Sequence, residues 1–187
     1  MKRESSAKSV CVFCGSSRAV DPRYFALANE VGALIAKRSL RLVYGGASVG
    51  MMGAVADAAL GAGGSVLGVI PRSLDQRELT HKGLTELGVV DTMYQRKEWM
   101  FRESDAFVAL PGGFGTLDEL FEALTERQIG LHEKRVVLVE VGGFWEGLRA
   151  WVERAVREKF VPDNVANALE VVDGVAGLEA WLDAWTL

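Results

Sequence analysis

Short, continuously apolar runs alternate along the chain with longer stretches in which apolar residues recur at helical spacing. The first pattern predicts strands covered on both faces, and the second predicts amphipathic helices. Strands are expected at Val10 to Phe13, Arg41 to Tyr44, Ser65 to Ile70, Leu87 to Val90, Ala106 to Leu110 and Val136 to Val141, with a further one at Leu169 to Val171. Helices are expected at Tyr24 to Arg38, Gly50 to Ala62, Met93 to Glu103, Leu117 to Ile129, Phe144 to Glu158 and Gly177 to Ala184. Pro22, Pro71 and Pro111 fall at the edges of these elements, where a missing amide donor does little harm. Strands alternating with helices predict an α/β fold: a doubly wound, Rossmann-like sheet, mainly parallel, with helices on both faces.

Composition narrows the picture. With 187 residues, 49% of them hydrophobic and 25% charged, the chain suits one domain, expected over 9–187 after a polar tail at 1–8. A net charge of −4, from 21 basic and 25 acidic residues, argues against a general grip on nucleic acid or an anionic membrane. Any phosphate must be held locally. No basic start leads into an apolar run of signal length, and no apolar stretch approaches the roughly 20 residues that span a bilayer, so a cytoplasmic location is expected. Cys11 and Cys14 form a C-x-x-C string, but they lie in a strand, where residues three apart face opposite sides. With His81 and His132 far apart in sequence, no metal site is expected.

In open parallel sheets ligands sit beyond the carboxyl ends of the strands, where the strand order reverses. Three strand ends carry small, flexible loops: Cys14-Gly15-Ser16-Ser17, Gly45 to Gly50, and Pro111-Gly112-Gly113-Phe114-Gly115-Thr116. The third runs into a helix, so its backbone amides suit an anion. The alternative is a tight turn whose glycines serve only the backbone. Asp118, Glu119 and Glu122 follow, with Glu119 and Glu122 on one helical face. They too read two ways, as chemistry beside a phosphate cradle or as a capping box in which Thr116 caps the helix and Glu119 returns to its amide. Arg96 and Lys97 are adjacent in a helical segment, so at most one points straight into a pocket while the other reaches its rim. A solvated basic face is the alternative there.

These strings occur in one order: Cys14 to Ser17, Tyr44-Gly45-Gly46 through Gly53, Arg96-Lys97, and Pro111 to Glu119. Together they resemble the LONELY GUY family, cytokinin riboside 5′-monophosphate phosphoribohydrolases, over about Val10 to at least Leu148. The resemblance implies an N-glycosidase that cuts cytokinin riboside 5′-monophosphates, and AMP, into free base and ribose 5-phosphate without a cofactor. It implies Arg96 and Glu119 as the catalytic pair. It places Lys97, Gly112, Gly113, Phe114, Gly115, Thr116, Leu117, Asp118, Glu122 and Thr125 around the nucleotide, with Glu78 as a further contact and Ser16, Ser17 and Gly46 shaping the pocket. A homodimer with the site near the subunit interface is implied as well.

Three positions depart from the family pattern. Ala47 interrupts a glycine run, Met51 replaces a leucine, and Tyr94 replaces a histidine before the Arg-Lys pair, which puts substrate preference in question more than reaction type. Family members often carry the label lysine decarboxylase, yet no residue here is marked out as a lysine holding pyridoxal phosphate. Two other functions compete: a broader nucleoside 5′-monophosphate nucleosidase, and a non-catalytic carrier of a phosphate-bearing cofactor such as molybdenum cofactor. Arg96 and Glu119 argue against the carrier. A scaffold role for Trp145, Trp151, Trp181 and Trp185 is explained more simply by core packing or self-association.

Overall fold

The computed structural model describes residues 7–75, 79–162 and 168–186. Seven strands form one sheet: β1 (Ser9–Phe13), β2 (Arg41–Tyr44), β3 (Val66–Pro71), β4 (Glu86–Val90), β5 (Ala106–Ala109), β6 (Arg135–Glu140) and β7 (Leu169–Asp173). Every pairing between them is parallel. The spatial order is β4-β3-β2-β1-β5-β6-β7, so the winding reverses between β1 and β5. That reversal opens the crevice in which ligands of such sheets bind.

Helices α1 (Pro22–Lys37), α2 (Gly50–Gly61), α3 (Arg72–Asp75), α4 (Met93–Arg102), α5 (Phe114–Gln128), α6 (Glu146–Arg157) and α7 (Gly174–Thr186) complete the described elements. Side chains alternate along β1, so Val10 and Val12 join one core with α1, α2 and α7, while Cys11 and Phe13 join another with α4 and α5. Cys14 packs in the first core and Cys11 in the second, on opposite faces as strand geometry requires. Both thiols are free, and burial pushes both above the ordinary range.

The expected strands all form, but several helix bounds differ. α3 spans only four residues, too short for a hydrophobic period to register. α7 begins three residues before the expected Gly177, at Gly174, whose φ of 56° only glycine adopts freely. Of the expected tail, 1–6 lie outside the described residues. Lys8 is held, donating to the Trp185 carbonyl at 3.0 Å.

The loops after β1, β2 and β5 are stitched together by backbone bonds. The Gly15 amide donates to the Pro111 carbonyl at 3.0 Å, and the Met51 amide donates to the Gly15 carbonyl at 3.0 Å. Gly50 makes this approach possible: it sits at φ 60°, and a Cβ there would lie 2.4 Å from the Ser16 carbonyl carbon. Gly50→Ala therefore combines left-handed strain with a backbone clash, and the folded state should lose about 2 kcal/mol or more. Urea titration would show it as a lower midpoint with an unchanged slope, whereas an unchanged midpoint would mean that the loops are not locked in this way.

Candidate active site

α4 and α5 bring the ionisable residues together. The start of α4 is fixed by a capping box that sequence reading overlooked, although Thr92-Met93-Tyr94-Gln95 has the right spacing. The Gln95 amide donates to Thr92 Oγ1 at 3.2 Å, and Gln95 Oε1 accepts from the Thr92 amide at 3.2 Å. This sets the phase of the helix so that Arg96 and Lys97 both turn inward, and each is more than nine-tenths buried. They do not form a solvated basic face. Tyr94 is 80% exposed, with its ring centre 5.8 Å from Lys97 Nζ, so the departure from the family pattern at this position lies at the solvent-facing edge of the pair.

α5 starts at Phe114 with Gly113 as its N-cap, three residues before the expected start. The capping-box reading of Thr116 and Glu119 is thereby overturned. Thr116 is already inside the first turn, buried against Gly112, where a Cβ would meet its Oγ1 at 2.0 Å. Glu119 lies one turn further on and faces Arg96. With no side-chain cap on the helix, the amides that begin it are suited to an anion, to which glycines at 112, 113 and 115 would give close approach.

Arg96 and Glu119 meet at the floor of a cleft of about 310 Å³, whose wall includes Gly15, Ser16, Gly113, Gly115 and Thr116. Arg96 Nε donates to the Val69 carbonyl at 3.2 Å, which anchors the guanidinium to β3, and Nη2 stands 3.5 Å from Glu119 Oε1. Glu119 is 6% exposed. Burial raises its carboxyl to about 7; Arg96 draws it down, Asp118 pushes it up, Lys97 draws it down and Glu122 pushes it up. A carboxyl balanced near neutrality in a cleft is suited to proton transfer.

Gly45 lies against the guanidinium, and a Cβ there would fall 1.5 Å from Arg96 Nη2. The lining also has an apolar part, made by Met52, Leu74 and Leu79. Leu79 is strapped down where its carbonyl accepts the Ser48 amide at 2.8 Å. Sequence reading gave none of these four residues a role in the site. The apolar three look like any core residue in sequence, while the glycine stood in a recognised motif.

The other expected site residues divide. Ser16 and Phe114 line the cleft. Ser17 and Gly112 line an adjoining chamber of about 320 Å³ that shares Gly15, Ser16 and Gly113 with it. Gly46, at φ 75°, shapes the loop and accepts the His81 amide at 3.0 Å. Lys97, Asp118 and Glu122 bind one another: Lys97 Nζ donates to the two Asp118 oxygens at 3.1 and 2.9 Å and also pairs with Glu122. Two expectations fall away from the cleft of this chain. Leu117 packs toward the second core, and Thr125 lines a separate groove beside Trp151, because each sits on a different side of α5 from Glu119. Glu78 lies outside the described residues.

Comparison with known proteins adds independent findings. Residues 52–180 match the family model described as possible lysine decarboxylase. A cytokinin riboside 5′-monophosphate phosphoribohydrolase of Arabidopsis thaliana is 45% identical over 169 residues, covering 90% of this chain and 79% of that protein. One from Rhodococcoides fascians is 46% identical, covering 91% and 86%. The chain belongs to the LONELY GUY family. Among solved structures, the molybdenum cofactor carrier protein of Chlamydomonas reinhardtii matches with a TM-score of 0.75 at 23% identity, covering 95% of this chain and 97% of that one. A molybdenum cofactor binding protein from Rippkaea orientalis also matches with a TM-score of 0.75, at 20% identity, covering 98% and 100%. At those identities the likeness shows only that this LONELY GUY protein shares their fold. No helix among the described residues is long and apolar enough to cross a membrane.

Proposed function

We propose that this chain hydrolyses the N-glycosidic bond of cytokinin riboside 5′-monophosphates, and of AMP, releasing free base and ribose 5-phosphate. The observation that carries this is a buried carboxylate facing a buried guanidinium one turn below an uncapped, glycine-lined helix start. The amides at the start of α5 hold the 5′-phosphate, and that remote binding positions the ribose over Glu119. As the C1′–N bond breaks, its electron pair leaves with the base, whose ring takes up a proton from solvent. Positive charge grows on the sugar, and ionised Glu119 stabilises it. Water then bonds to C1′ and gives a proton to Glu119. Arg96, held by the Val69 carbonyl, orients that carboxylate and faces the departing base.

The curated relatives are named for this reaction, which favours it over a broader nucleosidase or a cofactor carrier. The apolar lining of Met52, Leu74 and Leu79 suits a base carrying an apolar substituent. We also read the protein as a cytoplasmic homodimer without affinity for nucleic acid. Its net charge of −4 and the exposed Phe114, Ile129, Leu131 and Trp151 on and beside α5 and α6 support that reading. Incubating the purified protein with AMP and with isopentenyladenosine 5′-monophosphate, then separating the products, tests the reaction. Free base and ribose 5-phosphate in equal amounts are expected, and tight binding without turnover of either nucleotide would favour the carrier.

A further inference from the structure

Lys97 is 6% exposed, yet its ammonium is engaged by the chain itself. Asp118 receives it through both oxygens, and Glu122 closes on it from the next turn of α5. An ammonium has three protons to donate, and two carboxylates already draw on them. The triad carries a net negative charge, which is a poor partner for a dianionic phosphate. Its position relative to the neighbouring pair is regular. Arg96 meets Glu119, while Lys97, the next residue on α4, meets the residues one before and three after Glu119 on α5.

We infer that Lys97 is a positioning residue for glycosidic cleavage: it offsets part of the charge of the two carboxylates that flank Glu119 and ties α4 to α5, which favours the ionised form of Glu119 and holds it opposite Arg96. This rests on the reading of Glu119 as the reacting carboxylate. It departs from the expectation, implied by family resemblance, that Lys97, Asp118 and Glu122 contact the nucleotide. The titratable groups that act on Glu119 are Arg96 and Lys97 from α4, Asp118 and Glu122 from α5, and Cys11 and Cys14 from the β1 side. Burial keeps the two thiols neutral, so the charges that matter are two cations and two anions. The Lys97 charge opposes its own burial cost through hydrogen bonds to Glu122 and Asp118, which hold the ammonium above its ordinary range and so fully charged at neutral pH. Without it, both neighbouring carboxylates would oppose the ionised form of Glu119 with only Arg96 to counter them.

The test is the pH profile of kcat for Lys97→Met, Lys97→Arg and Glu122→Gln, measured beside wild type at saturating substrate. The substrate is the riboside monophosphate that wild type turns over. In Lys97→Met the acid limb should move to higher pH by about one unit, with KM changed less than about threefold. Lys97→Arg should restore the wild-type limb. Glu122→Gln removes a repelling carboxylate and should move the limb the opposite way, to lower pH. A strut with no electrostatic role would leave the limb in place or move it alike in both, and a direct phosphate contact would raise KM at least tenfold in Lys97→Met with an unmoved limb; either result overturns the proposal. If Lys97→Met does not fold, Glu122→Gln decides alone, since an unmoved limb there contradicts the assignment. A wild-type enzyme without an acid limb, or turnover that survives Glu119→Gln, would instead sink the reading of Glu119.

Discussion

Replacing Glu119 by glutamine should lower kcat for nucleotide hydrolysis about a thousandfold or more while leaving the fold intact. The amide has the same shape but cannot carry the negative charge that the growing oxocarbenium character calls for, nor accept a proton from water. Loss of a helix cap does not confound the experiment, because Gly113 holds the N-cap position of α5 and Glu119 has no capping role. Stability should follow a distinct course with pH. The folded-state value of about 7 lies above the ordinary 4.5, so the protonated form is favoured by the fold. Its contribution is fully present below pH 4.5 and is lost as pH rises through 7. Glutamine never ionises, so the variant should melt at an equal or higher temperature than wild type at pH 8, although the lost pairing with Arg96 offsets part of the gain. In the wild-type enzyme, kcat/KM should fall as pH drops through about 7, because only the ionised carboxylate serves. Turnover unchanged in Glu119→Gln would remove this residue from the mechanism.

Gly45→Ala should cost about a hundredfold in kcat/KM with little change in melting temperature. A methyl group there would lie 1.5 Å from Arg96 Nη2, 2.7 Å from Cζ and 2.6 Å from the Met52 Cε. All three atoms are at the ends of flexible side chains, so the sheet and helices need not move. The guanidinium must move, however, and with it the 3.5 Å approach to Glu119. Displacing an orienting group by an ångström or more is enough for a loss of that size. Steady-state kinetics and a thermal melt measured on the same preparation separate the two effects. Wild-type kinetics in Gly45→Ala would show that the position of Arg96 is not critical, and a large drop in melting temperature would place the cost in the fold instead.

Much of the architecture was legible because strands buried on both faces leave unbroken apolar runs. Val10 to Phe13 and Val136 to Val141 announce themselves, and the wholly parallel pairing of the described strands follows from the helices between them. The opposite placement of Cys11 and Cys14 could be read from strand period alone. The glycine-rich turn into α5 was legible too, since Gly112, Gly113 and Gly115 after a strand are few and conspicuous. The start of α5 was misread because Thr116 to Glu119 imitates a capping box, while the real cap is Gly113, which has no side chain to signal it. The inward turn of both Arg96 and Lys97 was hidden for another reason. Their counter-charges lie on α5, 21 to 25 positions downstream, and local sequence says nothing about which carboxylates will face a helix. Gly45 was visible within its motif, but its service to Arg96 depends on a contact across 51 positions.

The most direct test is a crystal structure of the Glu119→Gln variant soaked with AMP, in which slow turnover preserves the substrate. The 5′-phosphate should accept hydrogen bonds from the amides that begin α5 at about 2.8 to 3.2 Å, with the side chain at position 119 directed at C1′ of the ribose. A phosphate bound away from Gly113 to Thr116, or a sugar presenting its anomeric carbon to some other part of the cleft, would contradict the account.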